Sequence, residues 1–165
     1  EEKSDVVFAH HVHNMHLPLR RVTLTEEKEA RNAIREYLKN KEGDVDYNDV
    51  AKLQSHLGVL RRSKLQEVVD VVETEIHIIR LGNIAIATNP FELFLDYGNQ
   101  MKARSLAQQT FIIQLACGSE GYLPTKKAEE GGHYSAFHAS GCVGHEGGEL
   151  LVRETLMDIN QMFQQ

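Results

Sequence analysis

Thr74-Glu75-Ile76-His77-Ile78-Ile79-Arg80-Leu81, then Gly82-Asn83, then Ile84-Ala85-Ile86-Ala87-Thr88 is the stretch that decides the fold. Both flanking runs are rich in residues that favour strands, and Gly82-Asn83 between them is a two-residue hairpin signal. Asn89-Pro90-Phe91-Glu92 follows, and helical character extends from there to about Arg104. Thr110-Phe111-Ile112-Ile113-Gln114-Leu115 is a continuous apolar run of the kind a buried strand carries. A helix between 84-88 and 110-115 predicts that these two strands run parallel if they share a sheet.

On the N-terminal side, residues 5-13 read as a strand with imperfect alternation. Leu17-Pro18-Leu19-Arg20-Arg21-Val22 continues in extended form, because Pro18 disfavours helix at the residue before it. Thr23-Leu24-Thr25-Glu26 has capping-box spacing, and Ala30, Ala33, Ile34, Tyr37 and Leu38 form one apolar stripe. The first helix therefore spans about 25-40 and ends at Gly43-Asp44. A second is expected over 47-65, with Val50, Leu53, Leu57 and Leu60 on one face. On the C-terminal side, residues 117-148 hold most of the glycines and show no period, which reads as a long irregular segment. Loops of that length inside a compact domain are uncommon and often functional. A final helix is expected over 149-163, with Val152, Thr155, Leu156, Ile159 and Phe163 as its stripe. The expected fold class is α/β: a mixed β-sheet packed with helices, a helical N-terminal portion, and a long Gly-rich loop before a C-terminal helix.

The 165 residues fit one domain. A formal charge of -6 argues against nonspecific binding to nucleic acid or anionic lipid. No apolar run approaches the roughly 20 residues of a membrane helix. The opening Glu1-Glu2-Lys3-Ser4-Asp5 lacks the features of a signal peptide, and without an initiator Met it reads as a processed or cut start. Cys117 and Cys142 leave a single disulfide open and imply none.

Several groups could carry chemistry. Glu92 sits where a strand gives way to a helix, the end at which open α/β sheets bind ligands. The same residues also fit a purely structural role, with Asn89 as N-cap, Pro90 at the first helical position and Glu92 closing a capping box. Tyr122 lies between Gly121 and Pro124, a turn suited to displaying a ring. Gly131-Gly132-His133-Tyr134, with His138, Cys142 and His145 beyond, offers zinc-ligand types at spacings that fit no common structural zinc pattern. His10, His11, His13 and His16 form a second group. On a strand His11 and His13 share a face, read here as a solvated one.

Taken in order, these segments resemble the neutral, non-lysosomal ceramidases and their bacterial relatives. The series comprises Leu17-Pro18-Leu19-Arg20-Arg21, Leu81-Gly82-Asn83, Asn89-Pro90-Phe91-Glu92, Lys102-Ala103-Arg104-Ser105, Gly121-Tyr122-Leu123-Pro124-Thr125 and Gly132-His133-Tyr134. The resemblance implies a zinc-dependent hydrolase of linear N-acyl amides, with a lipid-like substrate such as a sphingolipid, or a small N-acyl amide. It implies Glu92 and Tyr122 as zinc ligands, with His133 and Tyr134 as pocket residues. The family's two histidine ligands and its serine have no counterpart here, so no catalytic residue is assigned and the chain alone is expected to be inactive. It reads as the C-terminal portion of a larger catalytic domain, whose N-terminal portion is its implied partner. Self-association through the surface left uncovered is expected, and the family points to secretion or the periplasm. Pro90-Phe91-Glu92 stands where the ceramidases have Pro-Gly-Glu, and Ser135 where they have a glutamate. The alternative is a non-catalytic binding or structural module.

Overall fold

A computed structural model describes residues 6-164. Asp5, the first residue of the expected N-terminal strand, lies outside that range. The strand itself, β1, spans Phe8–Pro18, so the extended form does continue through Leu17. It is followed by α1 (Leu24–Lys39), α2 (Tyr47–Lys52) and α3 (Gln54–Leu65). Thr23 caps α1 as its spacing requires. Its hydroxyl accepts from the Glu26 N–H, and the Glu26 carboxylate accepts from the Thr23 N–H at 2.7 Å. The expected helix over 47-65 is in fact two helices that break at Leu53. Leu53 is buried, so the chain bends there without losing the apolar face.

The hairpin is β2 (Val71–Leu81) and β3 (Ile84–Thr88), antiparallel, with Gly82-Asn83 in the turn. β1 pairs antiparallel with β2 from Phe8↔Leu81 to Pro18↔Val71. Pro18 is tolerated because β1 is an edge strand. Next come β4 (Glu92–Leu93), α4 (Leu95–Arg104) and β5 (Gln109–Ile113). β5 runs parallel to β3 as expected, giving a mixed sheet in the order β1-β2-β3-β5.

Two expectations fail in the second half. Residues 90-94 do not begin the helix. Asn89 is buried, and its side-chain oxygen accepts from the Phe91 N–H at 3.1 Å, while Phe91 is fully buried. Glu92-Leu93 then pairs in parallel with β6 (Tyr122–Leu123), and α4 starts at Leu95 without a side-chain cap. Pairing with a strand 30 residues away overrides the local capping signal. The segment 117-148 is also more ordered than its composition suggests. It holds β6, α5 (Lys126–Gly131) and a 3₁₀ turn at Tyr134–Ala136. The last helix, α6 (His145–Gln164), starts four residues before the expected Glu149. Gly148 belongs to that helix because a Cβ there would lie 2.4 Å from the Tyr97 ring, so glycine allows α6 to close on α4.

One sheet face packs on α4 and α6. Ile76, Ile78, Ala85 and Ala87 meet Leu151, Val152, Leu156 and Ile159 there, all in one core cluster. On the other face Phe8, Val12, Leu81, Phe111 and Ile113 are exposed. No helix among the described residues is long and apolar enough to cross a membrane.

Candidate functional site

Glu92 and Tyr122 are direct partners in the β4–β6 ladder, so their side chains leave the same face side by side. The ladder is anchored where its two strands begin. The Glu92 N–H donates to the Gly121 carbonyl at 2.9 Å, and the Glu120 N–H donates to the Pro90 carbonyl at 2.9 Å. Gly121 has a φ of 74°, a left-handed conformation that glycine adopts without steric penalty, and it turns the chain into β6.

The loop 138-142 supports Tyr122 from behind. The Tyr122 N–H donates to the Ser140 carbonyl at 2.9 Å. Gly141 lies so close that a Cβ there would be 2.1 Å from the Tyr122 carbonyl oxygen. Arg62 on α3 holds this loop. Its guanidinium donates to the carbonyls of Arg20, Cys142, His138 and Gly141 at 3.0, 3.1, 3.2 and 2.7 Å. Arg62 is only 4 % exposed, and no carboxylate pairs with it among the described residues. It is therefore a staple for backbone through its two terminal nitrogens, while its buried Nε has no hydrogen-bond partner.

The electrostatics of the pair follow from this placement. The Tyr122 hydroxyl is raised above its ordinary pKa, first by its hydrogen bond to the Glu92 carboxylate, then by desolvation and by the charge of that carboxylate. The phenol is therefore protonated at neutral pH. Tyr134 completes the group, with its ring edge-on to that of Tyr122 at 6.0 Å between centroids and 76° between planes. His133 is not part of it. It lines a separate groove with Phe94, Thr125, Ala128 and Ala136.

The remaining histidines of the Gly-rich segment, His138 and His145, line one pocket together with Arg20, Glu26 and Glu129. His138 is pushed down to about 4, mainly by burial and then by the nearby Arg20 charge, so it is neutral at pH 7. His145 Nδ1 lies 2.8 Å from the Glu129 carboxylate, which also accepts from the His145 N–H at 2.7 Å and lies 3.6 Å from Arg20. Cys142 lends only its carbonyl, to Arg20 N–H and to Arg62, and both cysteines are free thiols. Arg62 and Glu129 went unnoticed in the sequence. Arg61-Arg62 reads as an ordinary solvated helix face, and the partners of Arg62 are main-chain atoms that leave no mark in side-chain patterns.

The donor chemistry suits a divalent cation in part. A carboxylate and a phenol side by side are both oxygen donors, and a cation would oppose the effect that Glu92 has on the phenol. Among the described residues, however, no group of three or more His, Cys, Asp or Glu side chains includes Glu92. The pair fits a metal as two ligands of a larger set. No protein-family model, curated protein or solved structure matches the chain.

Proposed function

We propose that this chain contributes Glu92 and Tyr122 as two ligands of a zinc centre in a hydrolase of linear N-acyl amides resembling the neutral ceramidases. The single observation behind this reading is the Glu92↔Tyr122 register, which brings together two residues that 30 positions separate. A zinc ion held there supplies a Lewis acid for the amide carbonyl and water acidified to a pKa of about 7. The chain's own contribution is positional. Arg62 and the loop 138-142 fix the Tyr122 backbone, and the short ladder fixes Glu92 against it. Glu92 raises the pKa of the neighbouring Tyr122 phenol, an effect a bound cation would oppose, and Tyr134 limits the space beside the Tyr122 ring. Catalytic zinc usually has three protein ligands plus an open position. With two, residues 6-164 alone are expected to show no turnover.

The test uses the longest natural polypeptide that contains this chain. It is assayed for hydrolysis of N-acyl sphingosine and of simple N-acyl amides, as wild type and as Glu92→Ala. Turnover that the substitution reduces to background is the expected result. Turnover unaffected by the substitution contradicts the reading. A complete absence of turnover on every amide favours the non-catalytic module, for which the missing third ligand is the specific support.

A further inference from the structure

The first strand and the last helix meet at a second group of donors, formed by residues other than Glu92 and Tyr122. His11 and His13 alternate onto the helix-covered face of β1, in the same row as buried Met15 and Leu17. Period two puts both imidazoles on one side of the strand. Asp158 on α6 faces them, 145 residues from His13 in the chain. Its Oδ2 lies 2.7 Å from His13 Nδ1 and 4.0 Å from His11 Nε2. The three donor atoms all lie within 4.8 Å of one another.

From these contacts we infer that His11, His13 and Asp158 form a binding site for one divalent transition ion of the zinc type, joining β1 to α6. Two ligands of a tetrahedral zinc, each about 2.0–2.1 Å from the ion, lie about 3.3 Å apart. The observed 2.7 and 4.0 Å bracket that value, so small side-chain rotations close the site. Imidazole and carboxylate are the donor types that zinc, cobalt and nickel accept. The Asp158 side chain is 14 % exposed, and among the described residues no lysine or arginine pairs with it. A hydrogen bond accounts for His13 beside this carboxylate. His11 at 4.0 Å is too far for one, and its side chain makes no other among the described residues, so its half-exposed ring is open to water or to an ion. An ion between the three satisfies all of them, and water takes the fourth position.

The donors stand on a strand and a 20-residue helix, so their backbone is held before any ion arrives. The ion then cross-links two distant parts of the chain and stabilises the folded form by RT ln(1 + c/Kd), where c is the free ion concentration, a logarithmic gain.

The purified chain is titrated with Zn²⁺ by calorimetry and thermal melting, and with Co²⁺ by absorption. One Zn²⁺ per chain, a rise in Tm, and a Co²⁺ spectrum without thiolate charge-transfer bands are expected. His11→Ala removes an exposed imidazole and should fold normally, yet weaken Zn²⁺ at least tenfold. Asp158→Asn should weaken it too, while Cys117→Ser should leave it unchanged. Glu75, His77 and Cys117 form another donor group. Binding lost in Cys117→Ser, with thiolate bands for Co²⁺, would assign the ion to that group and overturn the proposal. Absence of Zn²⁺ binding, several weak ions per chain, or binding unaffected by His11→Ala would also overturn it.

Discussion

β3 and β5 share five residue pairs, and their sheet is held by side chains: Ala85 and Ala87 and their neighbours on β2 bury against α6. β4 and β6 share two pairs, far fewer than a stable sheet needs by itself, and beside the core residues Phe91, Leu93 and Leu123 the region around them depends on backbone contacts. Arg62 binds four carbonyls, Gly141 meets a carbonyl oxygen, and Gly121 turns the chain. Hydrophobic packing tolerates swaps of similar volume, whereas a backbone clamp depends on particular atoms. The region carrying Glu92 and Tyr122 should therefore be the more fragile one.

Arg62→Met tests that contrast most severely. It keeps much of the side-chain volume and removes the guanidinium donor from the carbonyls of Arg20, His138 and Gly141 (Cys142 keeps the Arg20 N–H), at about 1–3 kcal/mol for each carbonyl that no water reaches. A total loss of about 3 kcal/mol or more is expected in denaturant unfolding. The conservative core swap Leu151→Met should cost less than about 1.5 kcal/mol. If the two variants lose the same stability, the contrast fails.

Gly141→Ala should come next, at about 1–3 kcal/mol, since a Cβ must push against the Tyr122 carbonyl. Amide exchange should accelerate at Tyr122 and Leu123 before it does in β2 or β3. Uniform acceleration across both sheets would show that the ladder is not a separate unit.

His138 gives a smaller, pH-dependent effect. Its folded pKa of about 4 lies below the ordinary 6.5, so between these values the unfolded chain takes up a proton that the folded chain does not. Stability from this group is complete above pH 6.5 and is lost as pH falls towards 4. In urea melts, wild type should lose more stability over that window than His138→Gln. Equal slopes would mean that His138 is not held neutral.

Glu92→Gln should change stability least. It removes the charge and weakens the acceptor that raise the Tyr122 pKa, so this phenol should titrate closer to about 10, its ordinary value. Ultraviolet titration against Tyr122→Phe identifies the ring. An unchanged Tyr122 pKa would mean that the two side chains do not interact in solution.

The same contrast explains what could be read from the sequence. The stripe of α6 was legible because burial of side chains writes a period into the sequence, and the hairpin because its turn residues and strand-favouring flanks are local. The apolar run 110-115 does form the strand β5, but it is not buried on both faces: Phe111 and Ile113 are exposed. Thr23 and Glu26 were legible because a capping box is complete within four residues. Asn89 was misread for a physical reason: its side chain accepts from an N–H two residues on, which suits a helix cap and an isolated turn equally. Only the partner strand at Tyr122 decides between them, and two-residue strands are too short to show a period. The glycines before Leu150 suggested a loop, although Gly148 is a contact point for Tyr97. Glu92 and Tyr122 were named as candidates through a family resemblance. That they would stand in register could not be read from their neighbours. The convergence of His11 and His13 with Asp158 was equally hidden, because it needs the packing of α6 on β1.

Zinc content tests the central claim most directly. The longest natural polypeptide containing this chain is prepared with His11→Ala, so that the other metal position does not contribute, and bound zinc is measured after exhaustive dialysis. The account predicts about one zinc per chain, falling to background when Glu92→Ala is added and reduced by Tyr122→Phe. Zinc retained in full by the Glu92→Ala protein would contradict it.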